Sequence, residues 1–233
     1  MRTVYYRIAF VFLFVVVNMQ LIVAQQLRNQ GLDDFLYNGR IYTYFPPHNV
    51  KGNQFLNTKE FVEGTLWIKG ECYSKVLLNY DIYNQQLVLS FKTKLGAQQM
   101  IALSMAYIDS FYIDNKVFIV EHDEDDNYSF YQLIEHNSIS FHLKWFNTLS
   151  LKSSANGTIE YEFSESTRKV LFVYNGKLYE LKRRKSFKKI FSKKASSKII
   201  KYLKNNKLKL SKMQDDDFRN LLIYINSINV DEV

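Results

Sequence analysis

The sequence predicts a mainly β fold: an antiparallel curled sheet, a roll or partial barrel, of short strands and hairpins, followed by a basic helical C-terminal segment of two to three helices. Three observations carry this. Apolar residues recur at every second position in short runs between residues 65 and 181, as half-buried strands require. Turn pairs such as Asn175-Gly176 join the runs through connections far too short for parallel crossovers. After Lys182 the apolar spacing lengthens to the helical period and the chain turns strongly basic. A sheet of about nine or ten such strands curls up rather than lying flat.

The first 24 residues have the layout of a signal peptide: Arg2 and Arg7, an apolar core from Ile8 to Val17, and a short segment ending at Ala24. Cleavage is expected after Ala24, leaving no transmembrane span. The alternative, an uncleaved anchor, places Asn18 and Gln20 at mid-bilayer, where an amide lacks partners. The remaining chain, about 209 residues, suits one core. Cys72 is the single cysteine, so no intramolecular disulfide can form and packing must supply the stability. An aromatic content of 16% provides the material for that packing.

Residues 25–60 are polar and irregular, with one edge strand at Ile41 to Phe45 stopped by Pro46-Pro47. The β domain is expected over 61–182. Cys72, Val76, Leu78, Tyr80 and Ile82 share an apolar face, while Glu71, Lys75, Asn79 and Asp81 face water. A loop at Tyr83 to Gln85 returns the chain into Leu87, Leu89 and Phe91, forming a hairpin. Further strands are expected at Met100–Ala106, Phe111–Ile113, Val117–Val120 and Tyr128–Ile134. The run Ile139, Phe141, Leu143, Trp145 leaves Ser140, His142 and Lys144 facing away from the core. Ile159, Tyr161 and Phe163 then form a hairpin with a return strand from Val170 to Tyr174, and Asn175-Gly176 joins that strand to Leu178–Leu181 through a type I′ turn. Asn156-Gly157 offers the same chemistry one strand earlier.

The segment 183–233 is the basic helical tail. Phe187, Ile190 and Phe191 make a short apolar stripe ending near Ser192. A second helix turns Ile199, Ile200, Tyr202 and Leu203 inward and Lys198, Lys201 and Lys204 outward. Asp215 to Asp217 supply the negative first turn of a last helix whose stripe is Phe218, Leu221, Leu222, Ile225 and Ile228. From Lys182 to Lys212 the chain carries fourteen Lys or Arg and no Asp or Glu, a charge of +14 against −8 in the rest of the chain beyond residue 24.

The stretch from Gly64 through Phe91, with Trp67, Gly70, Tyr73 and the Tyr80-Asp81 pair before Leu87-Val88, resembles exported proteins of unknown function from Bacteroidota. Lys185 to Asn226, with its Lys-rich lead, Asn205-Asn206-Lys207-Leu208 and the acidic start of the last helix, is similar to the same group. The two stretches cover about 70 of the 233 residues. The resemblance implies a β domain with a helical tail in the periplasm or at the outer membrane, exported further in the alternative. It implies no activity and no site residues.

The chemistry-bearing residues point away from catalysis. The sequence lacks Gly-x-Ser-x-Gly, phosphate-loop and dinucleotide fingerprints. The loop Glu121 to Asn127 offers hard oxygens suited to calcium, but with Asp123 in first place the required Gly falls on Tyr128 and the closing Glu on Ile134. His48, His122, His136 and His142 show no zinc spacing. Glu160 and Glu162, the one pair suggestive of a glycosidase couple, alternate with core residues as outward strand positions do. The expected function is therefore that of a non-enzymatic binding or accessory subunit with no cofactor and no metal. Its lysine face, Lys188, Lys189, Lys193, Lys198, Lys201 and Lys204, meets an anionic envelope component or an acidic protein, and nucleic acid is not expected. The alternative is a ligand-binding β-barrel whose aromatic interior holds an apolar or sugar ligand.

Overall fold

The computed structural model of the chain describes residue 33 and residues 35–44, 46–93, 95–122, 127–153 and 159–228. The signal segment, the acidic loop tip at 123–126 and the Asn156-Gly157 turn lie outside the described residues. The strands run β1 (Gly39–Ile41), β2 (Val50–Lys51), β3 (Val62–Ile68), β4 (Glu71–Asp81), β5 (Gln86–Lys92), β6 (Gln98–Leu103) and β7 (Ile108–Ile113). They continue through β8 (Lys116–His122), β9 (Tyr128–His136), β10 (Ile139–Phe146), β11 (Leu149–Ser153), β12 (Ile159–Phe163), β13 (Thr167–Tyr174) and β14 (Lys177–Glu180). Two α-helices follow, α1 (Lys193–Asn205) and α2 (Asp215–Ser227).

Eleven strands form one antiparallel sheet in the order β1-β6-β5-β4-β3-β7-β8-β9-β10-β13-β14, and its two end strands do not pair. The predicted fold class is thus observed: an open sheet, mainly β, with helices after it. Its curl can be read from the rings. Tyr80 on β4 and Phe130 on β9 are four places apart in the order, about 19 Å in a flat sheet. Their ring centroids are 5.4 Å apart. Tyr80 likewise meets Phe111 and Phe118 edge-on at 5.8 and 5.4 Å. The sheet rolls up around this tyrosine, and the four rings, each about 1% exposed or less, fill the interior. Gln85 spans the same roll by donating to the Trp145 carbonyl of β10 at 2.8 Å.

A second core lies under the other end of the sheet, where Phe141 and Phe172 receive Phe187, Phe191, Ile199, Leu203 and the α2 stripe. Phe218 of α2 meets Phe141 at 4.8 Å. Arg168 ties this layer down: its guanidinium lies between the Trp145 and Phe218 rings at 4.8 and 5.1 Å and donates to the Met213 carbonyl. Burial lowers its pKa, partly offset by Asp215 and Asp217.

Several expectations are corrected. Cys72 is exposed, not core. The register between β3 and β4 shifts at Gly64/Thr65, and Lys75 takes a positive φ of 55°, so the bulge turns Tyr73 inward in place of Cys72. Gly64 is required there, since a Cβ would lie 2.5 Å from the Tyr112 carbonyl oxygen. Asn79 and Asp81 are buried, because residues 53–60 cover the part of β4 that β3 leaves open. Asn79 donates to the Thr58 and Glu60 carbonyls, and Leu56 N and Ile82 N close the ladder with Tyr80 O and Gln54 O at 2.9 and 3.0 Å. The edge strand is Gly39–Ile41, and the chain departs earlier than Phe45 because the Tyr42 hydroxyl turns in to Asp81 at 2.6 Å.

Ile159–Phe163 does not pair with its return strand. It joins β11 antiparallel and β2 parallel in a separate three-stranded sheet, while β13 pairs with β10 and β14. The Asn175-Gly176 turn stands as predicted, with φ of 50° and 69° and Tyr174 opposite Lys177. The first basic helix is a 3₁₀ segment, Arg184–Lys189, and not α.

The interior phenols set an alkaline limit. Burial holds the Tyr80 proton well above the ordinary phenol range, with the Asp81 charge adding to it. Tyr42 is raised by burial and then by its hydrogen bond to Asp81. Unfolded phenols titrate near pH 10. Above that pH the unfolded chain releases protons that the folded chain keeps, so this stability is present below about pH 10 and lost as pH rises beyond it. The urea midpoint is expected to fall above about pH 10, and to fall less steeply in Tyr42→Phe/Tyr80→Phe; equal slopes would count against it.

Candidate anion-docking site

The last strand hands the chain directly to the basic segment. Ser186 N donates to the Arg183 carbonyl at 2.8 Å and Ser186 Oγ accepts from Arg183 N at 3.3 Å, starting the 3₁₀ turn. Phe187, with no exposed surface, stacks against Phe191 and meets Phe172 edge-on. With that ring pinned inward, Lys185, Lys188 and Lys189 stay outside. Ser192 Oγ then caps α1 by accepting from Ala195 N at 3.3 Å. The helix buries Ala195, Ile199 and Leu203 and shows its lysines to water. Lys207, at a φ of 55°, reverses the chain after α1, and Leu208 N returns to the Leu203 carbonyl at 2.9 Å. Lys209 and Leu210 thereby come back beside the 3₁₀ turn. Arg184 fastens the return by donating Nε to the Leu208 carbonyl at 2.8 Å.

These three passes enclose an open groove of about 650 Å³. Lys182, Arg183, Arg184, Lys185, Lys188, Lys204 and Lys209 contribute its charge, and Ile200 and Leu210 its apolar lining. Among the described residues no Asp or Glu lines it. Among the described residues Lys182 alone of these seven has an acidic partner, Glu180 at 3.3 Å. Converging cations without counter-charges raise the local potential for an anion and lower it with salt.

The structure divides the six expected lysines. Lys188 and Lys204 line this groove, Lys189 lines a second one beside β14, and Lys193, Lys198 and Lys201 are exposed outside both. The residues that reasoning from helical faces missed are Lys182, Arg183, Arg184, Lys185 and Lys209. The signal for the first four was present, as a basic quartet placed immediately after the last strand. Lys209 becomes a neighbour only through the reversal at Lys207.

Other chemistry-bearing residues are engaged elsewhere. Glu160 and Glu162 pair with Lys51 and Lys152 on the small sheet. His142 lies on the face expected, yet it is buried there. Its Nδ1 is 2.8 Å from Glu121 Oε2 and its Nε2 3.0 Å from Ser140 Oγ. This reproduces the atom order of a hydroxyl–imidazole–carboxylate relay. Ser140 sits mid-strand, in register with Glu135 on one side and Val173 on the other, so its ladder leaves no pair of N–H donors for an oxyanion. We read it as a tie across the sheet. Among the described residues no group of three His, Cys, Asp or Glu could hold a metal ion, and no helix is long and apolar enough to cross a membrane. In comparisons with family models, curated proteins and solved structures, none matches this chain.

Proposed function

We propose that this protein is a non-enzymatic binding or accessory subunit of the cell envelope that docks an anionic partner on its basic C-terminal face. The observation that carries the reading is the convergence of seven Lys and Arg side chains from three chain segments on one groove with no acidic lining among the described residues. A merely solvated helix face spreads its lysines over the surface, as Lys193, Lys198 and Lys201 are spread. The aromatic filling of the roll favours the surface over the interior as the binding region. The signal-like amino terminus and the resemblance to exported Bacteroidota proteins support an envelope location.

The test compares two variants of equal charge change. One carries Lys185, Lys188, Lys204 and Lys209 as Gln, leaving Arg184 to hold Leu208. The other carries Lys193, Lys194, Lys198 and Lys201 as Gln. With polyphosphate as a generic anionic probe at low salt, each lost contact is worth about 0.5 kcal/mol, so the groove variant is expected to bind about tenfold or more weakly. The second variant should stay within about threefold of the parent. Equal losses in the two would return the groove to the status of ordinary surface.

A further inference from the structure

β14 is the last strand of the sheet, and among the described residues one of its edges is open. Its register with β13 pairs Tyr174 with Lys177 and Phe172 with Tyr179, and Leu181 N donates to the Val170 carbonyl at 2.8 Å. In an antiparallel ladder the residues alternate, so Lys177, Tyr179 and Leu181 direct their main-chain groups to β13. Leu178 and Glu180 direct theirs outward, and among the described residues these groups have no partner. A groove of about 470 Å³ runs along this edge. Leu178, Tyr179 and Glu180 line one side of it. Lys182, Arg183, Lys185 and Lys189 supply four cations, and the first three of these also line the larger groove, so the two share a wall.

Building on the proposed function, we infer that the anionic partner is an extended acidic peptide segment that adds to β14 as a further strand. Two independent features select this occupant. The cations call for negative charge, which phosphates and carboxylates both satisfy. The outward carbonyls of Leu178 and Glu180 call for N–H donors, which an anionic phosphate group does not have. A peptide meets both demands, with main-chain bonds to the edge and alternate side chains facing the lysines. β14 offers four residues, so a partner strand of about four to six residues fills it. Open edges also pair with wrong partners, and the positive charge beside this one restricts pairing to acidic strands.

The experiment uses the whole mature chain and a fluorescent peptide of about eight residues alternating Glu and Val, read by anisotropy. A second peptide is N-methylated at alternate positions, which removes the edge-facing donors and leaves the charge. Leu178→Pro is the matching change in the protein. Its N–H points away from β13, so the native ladder keeps its bonds while the free edge is blocked. The acidic peptide is expected to bind, and N-methylation or Leu178→Pro each to weaken it about tenfold or more. Leu178→Pro should leave polyphosphate binding unchanged, and the groove Lys→Gln variant should weaken both probes. If the methylated peptide binds the parent protein as well as the plain one, strand addition is wrong while the groove reading stands, and this arm holds whether or not Leu178→Pro folds. If neither peptide nor polyphosphate binds, the groove reading falls and strand addition with it.

Discussion

Replacing Tyr80 with Ala is expected to lower the free energy of unfolding by about 4 kcal/mol, which is near the upper end for a single aromatic truncation. The ring has no exposed surface and touches Phe111, Phe118 and Phe130, which belong to three other strands. Its removal leaves a void that those rings can close only if the roll tightens. The hydroxyl's bond to Gln85 at 2.8 Å goes with it, and with that bond a partner of the residue that reaches β10. For a chain of this size the midpoint of thermal unfolding should fall on the order of 10 °C. Tyr80→Phe separates the two contributions: it keeps the ring, loses the hydroxyl, and should cost about 1 kcal/mol. Urea denaturation of the three proteins gives the comparison. A loss below about 1.5 kcal/mol for the Ala variant would mean that the interior is not packed on this ring, and the ligand chamber of the alternative reading would return.

Asp81→Ala is the second large effect, at about 3 kcal/mol. Asp81 is fully buried and accepts four hydrogen bonds: from the Tyr42 hydroxyl at 2.6 Å, from Tyr83 N and Asn84 N at 3.0 and 2.8 Å, and from Asn84 Nδ2 at 2.8 Å. Truncation takes the acceptor from all four donors; Tyr83 N keeps a second one, the Gln54 carbonyl at 3.3 Å, and the other three lose theirs beside a buried site. The same carboxylate shapes the β4–β5 turn and holds Tyr42, so both the hairpin and the N-terminal segment loosen. Asp81→Asn keeps one acceptor oxygen and should cost about half as much. A double-mutant cycle with Tyr42→Phe should show a coupling of at least about 0.5 kcal/mol; additivity would show that the short contact contributes nothing to stability.

These two residues also mark where the one-dimensional pattern stops informing. Alternation puts Tyr80 inward and Asp81 outward, and it is right about which face each occupies. It does not say what else covers that face. Residues 53–60 do so at Asp81, and nothing in their polar, irregular composition announces a lid. The Asn175-Gly176 hairpin was readable because both positive φ angles are local properties of the two residues. The Ile159–Phe163 pairing was not, since strand periodicity is silent about partners, and β2 contributes only two residues to it. Cys72 departs from alternation for a smaller reason, one extra residue at a bulge. The site followed the same division. Lysines on helical faces can be read from spacing, while the groove depends on a chain reversal and on a strand edge.

The clamp that the N-terminal segment makes has a consequence for the order of assembly. Asn147 donates to the Asn53 carbonyl, Ser166 to the Leu56 carbonyl, and β12 lies beside β2, so residues near 50 find their partners about a hundred positions later. Contacts of such separation slow folding, because a long loop must close before any of them forms. A chain emerging from the ribosome can zip the hairpins from β3 to β9 as they appear and lay residues 54–60 on β4, but the bonds to β12, Asn147 and Ser166 wait until those residues are out. During that interval the cover over Asn79 and Asp81 is held by β4 alone, and the segment synthesised first is the one whose outer side is secured last.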